Sequence, residues 1–367
     1  MFVERLALTD FRSYSEVDLA LTPGIVSFIG ANGQGKTNLV EAIGYLATLS
    51  SHRVAQDAPL VRRGAERAYI RGAVNQTGRT TTLEVEITPG RANRARINGS
   101  PVPRPREILG VLKTVLFAPE DLALVKGDPA DRRYFLDTMM VLRTPRLAGV
   151  IADYERTLKQ RNALLRSASG VRRFDSSTLD IWDEHLAQHG AQIIAARLEL
   201  ITALAPLTAH AYAELATNAV TALEYKPSSI DYPDHDIESI RLNLESTLKT
   251  MRTQELDRGV TLLGPQRDDL QLILNDGPAK GYASHGESWS FALALRLACY
   301  ELLRTEGDEP VLILDDVFAE LDETRRAHLS TVIMSAEQVL ITAAVAADLP
   351  SAMGDQQIIV DAGRVQP

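Results

Sequence analysis

The chain has 367 residues, 45% of them hydrophobic, and a formal net charge of −9. This length allows two domains or one elaborated domain, and this hydrophobic share is ordinary for a soluble globular protein. Its single cysteine, Cys299, excludes an intrachain disulfide and a multi-thiolate metal site. The N-terminus lacks the build of a signal peptide, and no apolar run approaches the roughly 20 residues that span a bilayer. We therefore expect a cytoplasmic protein with no membrane partner.

The N-terminal residues predict three strands. Residues 1–21 alternate apolar and polar side chains in two segments, which a polar turn at 10–14 joins. Residues 25–29 form an apolar run that ends at Gly30, as in a buried parallel strand. After Thr37 the apolar residues recur every three to four positions, which predicts a helix.

A phosphate-binding loop lies between this strand and this helix. Residues 30–37 read GANGQGKT and match the pattern G-x-x-x-x-G-K-[ST]. Glycines let backbone N–H groups turn toward an anion, and the start of the helix adds to the same positive field. We expect Lys36 to reach the β- and γ-phosphates and Thr37 to ligate Mg²⁺; a Gly-rich turn without a ligand is the alternative. The residues expected to hold the nucleotide here are Gly30, Ala31, Asn32, Gly33, Gln34, Gly35, Lys36 and Thr37.

The next region predicts a basic, β-rich lobe at 69–102. Between residues 51 and 113 there are twelve Lys and Arg against five acids, so this window carries +7 and the rest of the chain −16. Such a patch suits a DNA backbone, and a solvated β surface is the alternative. From about 129 to 257 the spacing of apolar residues is helical, with polar breaks at 167–178 and 226–236, which predicts a helical arm.

A second apolar strand, 311–314, ends in Asp315 and Asp316. In a nucleotide site the first acid holds Mg²⁺ and the second orients the attacking water. Lys36 and Asp315 must touch one nucleotide although a long stretch of chain separates them. We therefore predict an α/β head assembled from both chain ends, with a helical arm inserted between them.

The predicted limits are 1–121 for the N-terminal part of the head, 122–257 for the arm and 258–367 for the C-terminal part of the head.

The order of these motifs resembles ABC-type ATPase heads, and further motifs narrow the resemblance to the RecF family of bacterial recombination and repair ATPases. These motifs cover nearly the whole chain. They are 10–14 (DFRSY), 117–122 (FAPEDL), 131–137 (DRRYFLD), 264–269 (GPQRDD), 283–287 (ASHGE), 293–297 (LALRL) and 318–322 (FAELD).

The resemblance implies roles for residues outside the phosphate loop. Arg12 matches the family's nucleotide-contacting arginine, and Glu120 matches the loop that joins nucleotide to arm. Ser284 and Gly286 match the signature, which in ABC-type heads contacts the γ-phosphate held by the other subunit. Asp322 matches a residue that crosses the same interface. Together with the residues derived above, the expected catalytic set is Lys36, Asp316 and Ser284, and the expected metal ligands are Thr37 and Asp315.

The sequence departs from the family pattern at several positions. Glu287 puts a negative charge where a phosphate should arrive. Asp316 fills the water-orienting position that many ABC heads give to Glu, although Asp is usual in this family. Thr342 stands where transporters carry a switch histidine, and Gln266 replaces a common histidine.

The function implied by the resemblance is an ATP-gated DNA clamp. Two copies would enclose two ATP molecules with Mg²⁺, grip single-stranded DNA, duplex or their junction, and release it after slow, DNA-stimulated hydrolysis. The family acts in DNA replication and in repair of single-strand gaps, where RecO- and RecR-type partners help to load RecA and support the SOS response. The alternatives are the ATPase subunit of a transporter or another P-loop ATPase or kinase.

Overall fold

Strands dominate both ends of the chain and helices its middle in the computed structural model, which describes residues 1–168, 175–216, 219–229, 231–232, 235–346, 349 and 356–366. The strands are β1 (Phe2–Phe11), β2 (Tyr14–Ala20), β3 (Gly24–Ile29), β4 (Ala68–Gln76), β5 (Arg79–Ile87), β6 (Arg94–Ile97), β7 (Ser100–Pro101), β8 (Thr114–Phe117), β9 (Thr221–Lys226), β10 (Asp269–Leu274), β11 (Gly277–Pro278), β12 (Val311–Asp315), β13 (Gln338–Ala343), β14 (Gln356–Asp361) and β15 (Arg364–Gln366). The helices are α1 (Lys36–Thr48), α2 (Leu122–Lys126), α3 (Pro129–Arg143), α4 (Leu147–Ala168), α5 (Asp180–Leu215), α6 (Ile237–Arg258), α7 (His285–Thr305) and α8 (Glu323–Ser335).

Separate stretches of the chain form two compact units. The first contains Met1–Val125, Leu207–Ala219 and Ala283–Pro367, and the second contains Lys126–Pro206 and Val220–Tyr282. Both chain ends therefore build one unit, as the distance in sequence between Lys36 and Asp315 requires. The three-part division predicted from the sequence stays a prediction about domain limits.

The first unit contains an antiparallel sheet in the order β2-β1-β4-β5-β6-β7. The predicted alternation is confirmed: Leu6 and Leu8 of β1 and Ile70 of β4 are buried in one core with the apolar face of α1. Strand side chains point alternately to the two faces, so burying one face leaves the other polar. The predicted β-rich lobe thus forms the outer part of this sheet.

A second sheet of the first unit has the order β15-β14-β3-β13-β12-β8. Strands β14, β3, β13, β12 and β8 run parallel, and β15 pairs antiparallel with β14. Parallel strands present their carboxyl ends at one edge of a sheet, where nucleotide sites of α/β folds lie. Here that edge carries the loop after β3 and the aspartates at the end of β12.

The second unit combines helices with the sheet β11-β10-β9. The prediction that 129–257 is helical apart from its two polar breaks is wrong at β9. Residues Thr221–Lys226 are a strand because they pair antiparallel with β10, from Asp269↔Lys226 to Leu274↔Thr221. Parts of the polar breaks expected at 167–178 and 226–236 lie outside the described residues.

One helical stretch among the described residues, Ser176–Leu215, is long and apolar enough to cross a membrane by length and composition alone. This differs from the expectation that no apolar run approaches that length. Half of its most apolar window is buried inside the protein, and core helices of soluble proteins pass the same test, so the evidence for a span is weak. Two charged residues of this helix, Asp183 and Arg197, are also buried, each in an ion pair.

The motif at 264–269 holds the second unit together. Gly264 has φ 113°, and a Cβ there would lie 2.6 Å from the hydroxyl of Tyr154. That hydroxyl donates to Gln266, which gives this departure from the family pattern a structural role. Asp268 accepts a 2.7 Å hydrogen bond from Tyr225, and burial raises the pKa of Asp268.

Arg161 of α4 is the centre of a fully buried charge network in the same unit. Its guanidinium donates to Asp183 (2.7 Å), Glu255 (2.6 Å) and Thr261 (2.9 Å), and both carboxylates are completely buried. Charges removed from water are tolerated only when paired and hydrogen-bonded. This network therefore fixes the packing of α4, α5 and α6.

Replacement Arg161→Met should destabilise the protein by about 3–5 kcal/mol, because it leaves the buried Glu255 without its cation and leaves Asp183 paired with Arg252 alone. Urea unfolding at neutral pH measures the change. The matched control is Arg156→Met on the same helix, whose ion pair with Asp153 is exposed and should contribute about 1 kcal/mol or less. Equal effects of the two substitutions would contradict the role of the network.

Candidate nucleotide site

The phosphate loop leaves β3 and enters α1 at the carboxyl edge of the parallel sheet. It packs against the C-terminal hairpin, because a Cβ at Gly30 would lie 2.1 Å from the carbonyl oxygen of Val360. The Gln34 side chain accepts a 2.6 Å hydrogen bond from the N–H of Ala362. Gly33 and Gly35 have φ values of 82° and 113°, which glycine adopts without steric cost. The close approach of Gly30 to Val360 and the hydrogen bond from Ala362 to Gln34 hold the phosphate loop against the C-terminal hairpin. The loop motif alone does not predict these contacts.

Two hydroxyl groups meet on one oxygen of Asp315. Oδ1 accepts hydrogen bonds from Thr37 (2.9 Å) and Thr342 (2.7 Å). The Thr342 hydroxyl oxygen also accepts the backbone N–H of Asp316 at 2.8 Å. Strand β13 lies between β3 and β12, so Thr342 stands between the phosphate loop and the aspartate pair.

The electrostatics favour a charged Asp315. Burial alone would raise the pKa of this carboxyl, but contacts with His52, Thr342 and Thr37 outweigh it, and the pKa lies below its usual value. A buried carboxylate beside a threonine hydroxyl supplies the hard oxygen ligands that Mg²⁺ prefers. The donor set at Thr37 and Asp315 therefore fits the predicted metal.

Lys36 is buried at the start of α1, and its Nζ donates to the carbonyl oxygen of Ala31 at 3.3 Å. Because the Lys36 ammonium bonds to the backbone of the loop, it lies inside the turn that binds phosphate in proteins with this motif. The structure thus brings Lys36, Thr37 and Asp315 to one edge of the sheet, with Asp316 following directly.

Arg12 is held by Glu41, a carboxylate that the sequence analysis did not single out. Its guanidinium donates to both oxygens of Glu41, which is completely buried on α1. Ser51 also donates to Glu41, and Arg53 lies 3.6 Å from it and donates to Asn38 at 3.1 Å. A signal was present in the sequence, because Glu41 interrupts the buried apolar face of α1. Arg12 therefore lies beside the loop with a second arginine, Arg53.

His52 is a further residue that sequence reasoning missed. Its Nε2 is buried and lies 3.8 Å from Oδ2 of Asp315.

The signature residues form a second cluster at the start of α7. Ser284 caps the helix, since its hydroxyl accepts the N–H of Glu287 and the Glu287 carboxylate accepts the N–H of Ser284. The same hydrogen bonds with Ser284 lower the pKa of Glu287. The anomalous acid therefore folds back onto its own helix terminus.

Arg325 connects this cluster to the interface motif. It donates to the carbonyl oxygen of Gly286 (3.1 Å) and the hydroxyl of Ser290 (2.8 Å), and it pairs with Asp322 (2.6 Å). Asp322 also caps α8 by accepting the N–H of Arg325. Contacts through Arg325 and the start of α7 thus bring Ser284, Gly286 and Asp322 together. This cluster is separate from the contacts of the phosphate loop.

Glu120 lies in a short 3-10 helix directly after β8, at the same sheet edge as Asp315, and it is exposed. Its neighbour Asp121 is buried and accepts two hydrogen bonds from Arg296 of α7. Glu120 thus lies between β8 and α2, and its role in joining nucleotide to arm stays a prediction.

Known proteins with the same architecture confirm the class. The chain matches the family model described as "RecF/RecN/SMC N terminal domain" over residues 2–362. It shares a fold with an Smc head domain from Pyrococcus furiosus, with a TM-score of 0.55 and 16% identity over 100% of this chain and 95% of that one. The protein is an ATPase head of the ABC and SMC class, assembled from both chain ends.

Closer relatives define the family. A Streptomyces avermitilis protein named "DNA replication and repair protein RecF" is 58% identical over 372 residues, covering 100% of both chains. A solved structure titled "Structure of the recombination mediator protein RecF-ATP in RecFOR pathway" has a TM-score of 0.92 and 29% identity, covering 100% of this chain and 97% of that one. The chain belongs to the RecF family, as its motifs predicted.

Replacement Thr342→Val keeps the side-chain shape but removes the hydroxyl that joins Asp315 to the N–H of Asp316. A buried polar group left without its partner costs about 1–3 kcal/mol, so urea unfolding should show a loss in this range. The matched control, Thr331→Val, removes only an exposed bond within α8 and should change stability by about 0.5 kcal/mol or less. Unchanged stability in Thr342→Val would contradict a structural role for this hydroxyl.

Proposed function

We propose that the protein binds ATP and Mg²⁺ at the loop between β3 and α1 and acts in DNA replication and repair. The observation that carries this proposal is the meeting of Thr37 and Asp315 beside the buried Lys36. This is the arrangement of a P-loop ATPase, in which the loop cradles the phosphates and the strand-end acid holds the metal. The names of the relatives, one of which was solved with ATP, support the same assignment.

Within this site the proposed roles follow from position. Lys36 would neutralise charge on the β- and γ-phosphates, and Arg12 would contact the nucleotide from the β1–β2 turn. Thr37 and Asp315 would hold Mg²⁺, which supplies charge stabilisation at the phosphates. Asp316 would orient the attacking water. Its side chain is shorter than the glutamate of many ABC heads, so we expect slow hydrolysis. By resemblance to the family, DNA would stimulate this hydrolysis, which would act as a switch.

The signature cluster supports an ATP-dependent homodimer. Ser284 caps the exposed start of α7, and a helix N-terminus is suited to bind a phosphate. In the proposed assembly Ser284 and Gly286 of one copy meet the γ-phosphate held by the other copy, and Asp322 crosses the same interface. Glu287 opposes this contact electrostatically, so the dimer should form more weakly than with an uncharged residue at this position.

Replacement Ser284→Arg should leave ATP binding near normal and abolish ATP-dependent dimerisation, because the long cation blocks the phosphate of the other copy. Nucleotide binding by filter assay and mass by light scattering give the two readouts. Ser177→Arg, an exposed position in the other unit, should dimerise normally, and Lys36→Met should lose ATP binding itself. A Ser284→Arg variant that still dimerises with ATP would overturn the proposed assembly.

The DNA surface proposed for the lobe needs arginines that are not already neutralised. On the antiparallel sheet, Arg71 pairs with Glu84, and Arg96 lies 3.5 Å from the same carboxylate. Neither Arg91 nor Arg94 takes part in these two pairs, and both side chains are exposed. We propose that Arg91 and Arg94 contribute most of the affinity of the lobe for DNA phosphates.

Replacement of both Arg91 and Arg94 by Gln should weaken DNA binding and lower the slope of log affinity against log salt by about 1.8 for duplex DNA, as two phosphate contacts are lost. Fluorescence anisotropy across a salt series, with ATP present, measures this slope. The matched control replaces Arg67 and Arg71, which pair with Glu86 and Glu84, by Gln and should leave the slope nearly unchanged. An unchanged slope in the Arg91 and Arg94 variant would move the DNA surface elsewhere.

The proposed partners follow from the family. A solved relative is described as a recombination mediator in the RecFOR pathway, which supports RecO- and RecR-type partners for this protein. By the same resemblance, the ATP-bound dimer would recognise gapped DNA, where these partners load RecA, support the SOS response and allow replication to resume. Such a protein would work in the cytoplasm, in contact with DNA.

A further inference from the structure

His52 lies at the metal end of the nucleotide site but has no role in the functions described so far. It follows α1 and is mostly buried, with 15% of its side chain exposed. Its Nε2 is completely enclosed and makes no hydrogen bond within the described structure. A buried nitrogen without a partner costs free energy, so its position calls for a ligand or water that the protein holds in use.

The carboxylate of Asp315 lies opposite His52. One of its oxygens accepts two hydrogen bonds, and the other faces the histidine. Oδ1 of Asp315 already accepts from Thr37 and Thr342, and Oδ2 lies 3.8 Å from Nε2 of His52. This separation is too long for a direct hydrogen bond. Because Nε2 is enclosed, a water that bonds to both atoms at ordinary distances needs room that opens beside them when nucleotide and metal bind.

The position of His52 is fixed by its neighbours. The Ser51 hydroxyl donates to the buried Glu41 and accepts the N–H groups of Arg53 (3.0 Å) and Val54 (3.2 Å). Arg53 in turn donates to Asn38 on α1. These contacts hold the segment on both sides of His52 and leave its ring directed at Asp315.

We propose that His52 is a positioning residue that holds, through Nε2, a water shared with Oδ2 of Asp315 and bound to the metal when nucleotide is present. Mg²⁺ usually keeps several of its waters, and partners of its ligands tune its affinity. His52 thereby fixes the position of a water bound to the metal and does not itself bind the metal. The inference rests on the proposed nucleotide site and adds a residue to it.

The test uses the full chain with ATP and Mn²⁺ in place of Mg²⁺. His52→Phe, which removes the ring nitrogens, should weaken Mn²⁺ binding to the protein–ATP complex by about tenfold or more in an electron paramagnetic resonance titration. ATP affinity measured in EDTA should stay unchanged. His52→Gln, which keeps a polar group at the end of the side chain, should recover part of the loss, and His210→Phe at an exposed position is the matched control.

A spectroscopic readout separates positioning from a purely structural role. In protein labelled with ¹⁵N-histidine, electron spin echo modulation should show weak nitrogen coupling to Mn²⁺, typical of a nitrogen beyond the first shell, that disappears in His52→Phe and persists in His210→Phe. Unchanged Mn²⁺ affinity in His52→Phe, or strong coupling from a directly bound nitrogen, would overturn the inference while ATP binding still stands. Absence of ATP binding by the wild-type protein in the presence of Mg²⁺ would overturn the proposed function and the inference with it.

Discussion

The structure depends on a single carboxylate oxygen that receives two hydroxyl groups. Oδ1 of Asp315 accepts hydrogen bonds from Thr37, the last residue of the phosphate-loop motif, and from Thr342 of β13, the strand between β3 and β12. These residues come from opposite ends of the chain, yet parallel pairing of β3, β13 and β12 puts them side by side. The contact therefore links the folding of both chain ends to the geometry of the site. Any ligand that needs Thr37 and Asp315 together can bind only when this unit is complete.

Much of this arrangement follows from local sequence signals. The loop at 30–37, the apolar strands on either side and the Asp pair each carry their own pattern, and the rule that parallel strands end at one edge brings them together. Strand β9 could not be predicted in this way, because its partner β10 lies more than forty residues further on and pairing decides its conformation. Helical spacing on both sides of β9 therefore gave a wrong local prediction.

Glu41 and His52, the site residues that the sequence analysis missed, were missed for a different physical reason. Glu41 looks like a polar interruption on a helix face, and only the fold shows that Arg12 and Ser51 meet there. His52 lies in a loop without periodicity, so nothing in its sequence context indicates that it faces Asp315. Side chains that act through contacts from distant segments leave weak signals in a single sequence. Residues of a motif such as the phosphate loop are easier to identify in a sequence. The backbone conformation of the loop also restricts which residues can stand beside them, so several positions carry the signal.

Glu287 shows how one residue can serve fold and assembly in opposite ways. Its carboxylate completes the capping box of α7, which stabilises the helix that presents Ser284 and Gly286. The same charge lies where the proposed assembly brings a phosphate. This repulsion would weaken the ATP-bound dimer, so the favourable contacts of the γ-phosphate would have to outweigh it. A weak contact of this kind suits the proposed clamp, which would have to open again to release DNA.

The central proposal is that ATP joins two copies of the chain into one DNA-binding assembly. The most direct test is sedimentation equilibrium of the wild-type protein with Mg²⁺ and an ATP analogue that cannot be hydrolysed, with bound nucleotide measured in the same sample. We expect a mass near 40.2 kDa without nucleotide and about twice that value with it, at one nucleotide per chain. A protein that is saturated with nucleotide and still has a mass of 40.2 kDa would rule out this assembly.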